Sequence, residues 1–302
     1  MWPFAEAAPP PPERSNHVRM TELIFEILKA CVFGVVEGIT EWLPVSSTGH
    51  LILLNEIPFL TLHVSEAFSE MFDVVIQLGA ILAVIVLFFH KLNPFSPKKS
   101  SRQKNATWIL WFKVIVAVLP SAVLGLLFDD WFDEHFYNYV VVALALIVYG
   151  VAFIYVEWLH RGKHAAIRKV EQIDWRTALL IGAFQCLALI PGTSRSGSTI
   201  LGAIMLGVSR GAASEFSFFL AIPTMLGASA LKAFKFLMEG NSATMTEIMV
   251  LIVGSVVSFV VSLVVIKALM QYVRKHSFSS FGVYRIILGA LVLVYAIVKL
   301  FV

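Results

Sequence analysis

Six stretches of this chain stay apolar for about the length of a bilayer crossing, and nothing else in the sequence limits the fold as much. They lie at about 72–90, 108–128, 139–159, 216–237, 247–270 and 285–302. A membrane-spanning helix needs about 20 mainly apolar residues, so each run predicts one span. Only 14% of residues are charged, against roughly 25% in soluble domains, and the deficit extends along the whole chain. One all-α polytopic membrane domain follows, rather than a soluble domain with an anchor. The net charge of +3 is too small to favour nucleic acid as a partner. Cys31 and Cys186 sit in apolar contexts and read as free buried thiols.

The first twenty residues, MWPFAEAAPPPPERSNHVRM, lack the basic start and apolar stretch of a signal peptide. The run of four prolines suggests an extended tail over 1–21, with the membrane domain over 22–302. Loop charges set the orientation. Segment 91–107 carries five bases and no acid, 129–138 four acids and no base, and 160–177 five bases against two acids. Basic loops stay in the cytoplasm, so six spans place both termini and the acidic loop outside.

Two further regions, 23–57 and 178–208, are interrupted by Pro, Gly and polar clusters, leaving apolar pieces of about 10–14 residues that suit re-entrant segments. The first enters from outside, the second from the cytoplasm, and each precedes three spans. Two halves of opposite orientation, about 22–160 and 175–302, are therefore expected. GVVEGITEWLPVSSTG (34–49) also aligns loosely with GAFQCLALIPGTSRSG (182–197), setting Gly34 on Gly182 and Glu37 on Gln185. Inverted repeats place their binding sites where such broken helices meet.

The breaks carry the chemistry. Glu37 and Glu41, four apart, share a helix face, where like charges repel. A divalent cation, a shared proton or an arginine would relieve them; an exposed amphipathic turn would show the same spacing. Mg²⁺ or Ca²⁺ suits a carboxylate pair acting jointly with substrate phosphates. Pro44 then restarts a helix at PVSSTGH, where Ser46, Ser47 and Thr48 add hydroxyls and His50 follows three residues after Ser47. Such spacing permits nucleophile–base chemistry, and ordinary capping explains it equally well. In PGTSRSGST, Arg195 lies among Ser194, Ser196 and Thr199. An arginine at membrane depth costs about 2.5–3.5 kcal/mol and normally has a purpose, and its planar fork suits phosphate.

With EGITEWLPVSSTGH and PGTSRSGST intact, the sequence resembles the undecaprenyl pyrophosphate phosphatase (bacitracin-resistance) family over about residues 22–302. FDVVIQLGAILAV, FQCLALIPG and GVSRGAASEFSFFLAIPTMLGA are similar to family stretches too. The resemblance implies interdigitated inverted repeats with two re-entrant hairpins and a divalent-cation requirement. It also implies an outward-facing site in the bacterial plasma membrane and removal of the terminal phosphate of undecaprenyl pyrophosphate, which recycles the cell-wall lipid carrier. It leaves room for a homodimer. Glu37 and Glu41 would be the essential, metal-linked acids, Ser47 the nucleophile, His50 an acid/base or orienting group, and Arg195 the pyrophosphate clamp. Ser46, Thr48, Ser194, Ser196 and Thr199 would line the phosphate site. A lipid phosphatase with a histidine nucleophile is excluded, because SGSTILGAIMLG after Arg195 offers neither His nor Asp. A flippase for undecaprenyl phosphate would use much the same groups. Phosphate release by purified protein without a membrane gradient separates the two. A non-catalytic interaction protein would leave the acid pair and Arg195 without purpose.

Overall fold

The computed structural model describes residues 16–301, so most of the expected N-terminal tail lies outside the described residues. The chain forms α1 (Asn16–Thr40), α2 (Ser47–Asn55), α3 (Glu66–Val75), α4 (Gln77–Leu87), α5 (Phe89–Leu92), α6 (Ser101–Phe136) and α7 (Tyr139–Leu159). It continues with α8 (Trp175–Cys186), α9 (Arg195–Met205), α10 (Arg210–Met238), α11 (Met245–Tyr272) and α12 (Ser279–Phe301). No strand forms among the described residues, where Ile167 and Val208 make one isolated parallel bridge.

Six helical stretches are long and apolar enough to cross a membrane: Glu66–Leu87, Ser101–Phe128, Tyr139–Leu159, Arg210–Met238, Met245–Tyr272 and Ser279–Lys299. They coincide with the six apolar runs. Two boundaries differ from expectation. The acidic segment 129–138 is not a loop, because α6 continues to Phe136. Nothing in LFDDWFDEHF breaks a helix, and the stop comes only where Asn138 caps α7 by accepting from the Val141 N–H at 3.0 Å. The first broken region likewise opens with a 25-residue helix, not a 10–14-residue piece. Glu26 and Lys29 are satisfied there: Lys29 Nζ meets Glu26 at 2.7 Å and the Thr61 carbonyl at 2.8 Å, and the His63 N–H donates to Glu26 at 3.0 Å.

Both interrupted regions form helix–break–helix units, α1–α2 and α8–α9, whose arms pack on each other. The packing crosses between the halves. Helix α1 lies along α11 and α8 lies along α6, while α7 pairs with α12. Close approach requires glycine at two of these crossings. A Cβ on Gly34 would stand 2.5 Å from the Gly254 carbonyl oxygen, and one on Gly182 would collide with the Ala117 backbone. Beneath the breaks lies a buried core containing Trp42, Phe216, Phe218 and Phe219. There the Trp42 indole meets the Phe218 ring edge-to-face at 5.2 Å. Trp42 thereby fixes the turn that follows Glu41.

Candidate active site at the paired helix breaks

Each break ends on a serine in the left-handed backbone region: φ is 73° at Ser46 and 72° at Ser194, and no other non-glycine among the described residues has positive φ. That conformation costs an L-residue roughly 1–2 kcal/mol, and here it lets a helix restart at once. Both serines cap the new helix in the same way, Ser46 Oγ accepting from the Gly49 N–H at 3.3 Å and Ser194 Oγ from the Gly197 N–H at 3.1 Å. The N-termini of α2 and α9 thus face one region, bringing the positive ends of two helix dipoles together. Arg285 of α12, fully buried, ties the breaks to each other. Its guanidinium donates to the carbonyls of Pro44 at 3.1 Å, Gly192 at 2.8 Å and Thr193 at 2.9 Å. It forms no ion pair among the described residues and lies over the Tyr149 ring at 5.4 Å.

Glu41 joins the two motifs. Ser47 Oγ donates to Glu41 Oε2 at 2.9 Å, and Arg195 Nη2 donates to Glu41 Oε1 at 3.0 Å. Arg195 Nη1 donates to the Ser217 carbonyl at 2.7 Å, while its buried Nε has no protein partner. Glu37, one turn before Glu41, is fully buried with both carboxylate oxygens unpartnered. The charges acting on it are Glu41, Asp73 and Arg195. Asp73 also keeps one unpartnered oxygen, the other lying 3.5 Å from the Asn55 amide.

A cavity of about 370 Å³ opens beside this cluster, lined by Glu41, Ser47, Thr48, Ser194 and Arg195, by the polar Gln77, Ser121, Gln185 and Thr224, and by apolar residues such as Leu126, Leu189 and Leu231. It can take a charged head with an apolar tail behind it. Four expected site residues are placed differently, the first being Ser46, whose hydroxyl caps α2 and does not line the cavity. Ser196 donates to the Glu41 carbonyl at 3.0 Å, and Thr199 pairs with Ser217 at 2.7 Å, so both brace the site from behind without lining the cavity. His50 does not meet Ser47. Its Nδ1 donates to the Ser46 carbonyl at 2.7 Å, which leaves Nε2 to accept from the Tyr284 hydroxyl at 2.6 Å. An α-helix carries residue i+4 back over residue i, and that geometry pairs His50 with Ser46.

The donor set fits a hard cation in part. Buried carboxylate oxygens without partners, as on Glu37, are what such an ion would ligate. No group of three or more His, Cys, Asp or Glu among the described residues is arranged to hold a metal. The protein therefore offers an incomplete shell that substrate oxygens and water would have to fill.

Asp73, Ser217, Tyr284 and Arg285 escaped the sequence reading. Asp73 and Arg285 each interrupt or begin an apolar run, and a charge inside a predicted span is the signal that finds them.

Fold and site together define a polytopic membrane protein whose candidate active site sits where two broken helices meet. The family model for the bacitracin resistance protein BacA matches residues 30–291, and the chain belongs to that family. An undecaprenyl-diphosphatase of Enterococcus faecalis is 58% identical over 273 residues, covering 90% of this chain and 98% of its own. One from Streptococcus equi subsp. zooepidemicus is 55% identical and one from Streptococcus pyogenes serotype M3 is 53% identical, each covering 92% of this chain and 99% of its own.

Proposed function

We propose that this chain hydrolyses undecaprenyl pyrophosphate to undecaprenyl phosphate and inorganic phosphate, returning the lipid carrier to cell-wall synthesis. One observation carries the reading: Glu41 holds Ser47 with one oxygen and Arg195 with the other, in the lining of a cavity that also has many apolar residues. The names of the relatives point the same way, and none of those quoted names a transporter.

In this reading Ser47 is the nucleophile and Glu41 its base, supported by the hydrogen bond between them. Its Oγ attacks the terminal phosphorus as its proton passes to Glu41 Oε2. The bond from that phosphorus to the bridging oxygen breaks, and the proton leaves with undecaprenyl phosphate. Water then cleaves the phosphoserine, restoring the hydroxyl and releasing inorganic phosphate. Charge spreading over the equatorial oxygens meets Arg195, whose Nε is free to donate, and the first-turn N–H groups of α2 and α9. Glu37 would hold the divalent cation, Mg²⁺ or Ca²⁺, which neutralises pyrophosphate charge when bound. Thr48 and Ser194 line the phosphate site, and Ser46 shapes it through its strained cap. His50 orients that cap through the Ser46 carbonyl.

The two halves read as inverted repeats with re-entrant hairpins, supported by the reciprocal packing of α1 on α11 and α8 on α6. The loop charges favour a plasma-membrane protein with its site reached from outside. Purified protein in detergent, with no gradient available, should release phosphate from the lipid pyrophosphate. Ser47→Ala should retain less than about a tenth of that rate, a loss of at least about 1.4 kcal/mol in transition-state stabilisation, while still binding substrate. An alanine variant faster than that would pass the nucleophilic role to a water held by Glu41.

A further inference from the structure

A concavity larger than the one beside the helix breaks lies elsewhere in the molecule. It occupies about 1050 Å³ where the 160–177 segment meets the start of α10. Helix α7 measures its separation from the active site. The Val142 backbone lies against Gly192 at one break, and Glu157 lines the concavity fifteen residues further on, roughly 22 Å along the helix at 1.5 Å per residue.

Every carboxylate lining this basin is spent on holding its walls together. Glu157 accepts from Arg210 Nε at 2.8 Å and from the Phe278 N–H at 2.9 Å, joining α7, α10 and the approach to α12. Lys91 reaches Glu171 at 2.8 Å and Glu215 at 2.6 Å, pinning α5 to the loop and to α10. The backbone completes the frame: the Ile167 N–H donates to the Gly207 carbonyl at 3.2 Å, and the Ser209 N–H donates to the Ile167 carbonyl at 2.8 Å. The remaining titratable groups on the lining are all basic: Lys163, Arg168, Lys169, Arg274, His160 and His164. None of the four lysines and arginines has an ion pair among the described residues. All four are exposed, and all four line one concavity, which the N-terminal residues of the 29-residue α10 line as well. A cleft lined by one sign of charge concentrates counter-ions, and basic pockets between membrane helices suit phosphorylated headgroups.

We infer that this basin is a second anion site, distinct from the helix breaks, that takes a phosphate group: that of an anionic lipid or free inorganic phosphate. The assignment stands whether or not the chain is a phosphatase.

The test uses the full chain in detergent and a variant combining Lys163→Ala, Arg168→Ala, Lys169→Ala and Arg274→Ala. One arm counts bound phosphatidylglycerol against phosphatidylcholine by native mass spectrometry, and the other titrates inorganic phosphate by calorimetry. Wild type should bind one of the two anions at a site that the variant holds at least about tenfold more weakly, with binding that weakens as salt rises. Phosphatidylglycerol retained over phosphatidylcholine identifies a lipid headgroup, and phosphate uptake lost in the variant identifies the free ion. Hydrolysis at the wild-type rate shows that the variant is folded, and Lys163→Gln with Lys169→Gln provides a milder version if it is not. Equal binding of both probes by wild type and variant, or binding of neither by wild type, overturns the inference.

Discussion

Glu41 touches both motifs, yet Glu37 is the acid left with nothing to hold, and this difference separates their roles. Glu37→Gln keeps size and hydrogen-bonding capacity while removing charge. It should raise the Mg²⁺ concentration needed for half-maximal hydrolysis by at least about tenfold, equivalent to about 1.4 kcal/mol. An unchanged metal dependence would take Glu37 out of the cation shell. Arg285 works differently, since the Pro44, Gly192 and Thr193 carbonyls it reaches belong to both breaks. In Arg285→Lys the charge survives, but a single ammonium cannot span loops that a planar fork reaches from two nitrogens. The expected outcome is a kcat lower by about tenfold or more, about 1.4 kcal/mol, with a smaller change in KM because Arg195, the proposed phosphate clamp, is intact. A lysine variant with wild-type kcat would reduce Arg285 to a source of positive potential. Glu41 and Arg195 were legible in the sequence because each sits in a polar island between apolar runs. Arg285 was not, because one arginine at the edge of a run looks interfacial, and only its distant acceptors reveal its task.

The two new helices, α2 and α9, begin from serines that combine strain with capping, and substitution separates these contributions. Ser194→Ala loses the cap to Gly197, typically about 1 kcal/mol, and keeps a side chain at positive φ. Ser194→Gly also loses the cap but relieves the left-handed strain. The glycine variant should therefore melt close to wild type and the alanine variant several degrees lower, by scanning fluorimetry in detergent. Equal Tm values would mean that the φ of 72° carries no cost. The existence of both breaks could be read from Pro44, Pro191 and the flanking glycines. Which hydroxyls face the cavity could not. Ser196 and Thr199 turn away from it because of the angular phase at which α9 starts, and that phase is fixed by the Ser194 backbone. The extension of α6 through an acidic stretch was hidden for another reason: loop charge rules count charges and do not register that no helix breaker is present.

For the molecule as a whole, the charge asymmetry of its connections makes the testable statement. A cysteine placed at Asn138 should react with an impermeant maleimide added to intact cells, and one placed at Ser100 should react only after lysis. The reverse pattern would turn the cavity mouth toward the cytoplasm. Six spans were legible because apolar length is a local property. The crossing of α1 onto α11 and α8 onto α6 was not, since it depends on glycine contacts between residues far apart in the chain. That crossing, together with Arg285, sets a timetable for biosynthesis. Pro44 and Arg285 are 241 residues apart in the chain. At about 5–20 residues per second, a ribosome needs roughly 12–50 s to travel from the first break to the arginine that fastens it to the second. Glu41 and Ser47 are made at the start of that interval and Arg195 partway through it, all of them before the arginine that fastens the two breaks. The tie between the two breaks is therefore completed only once α12 has been inserted.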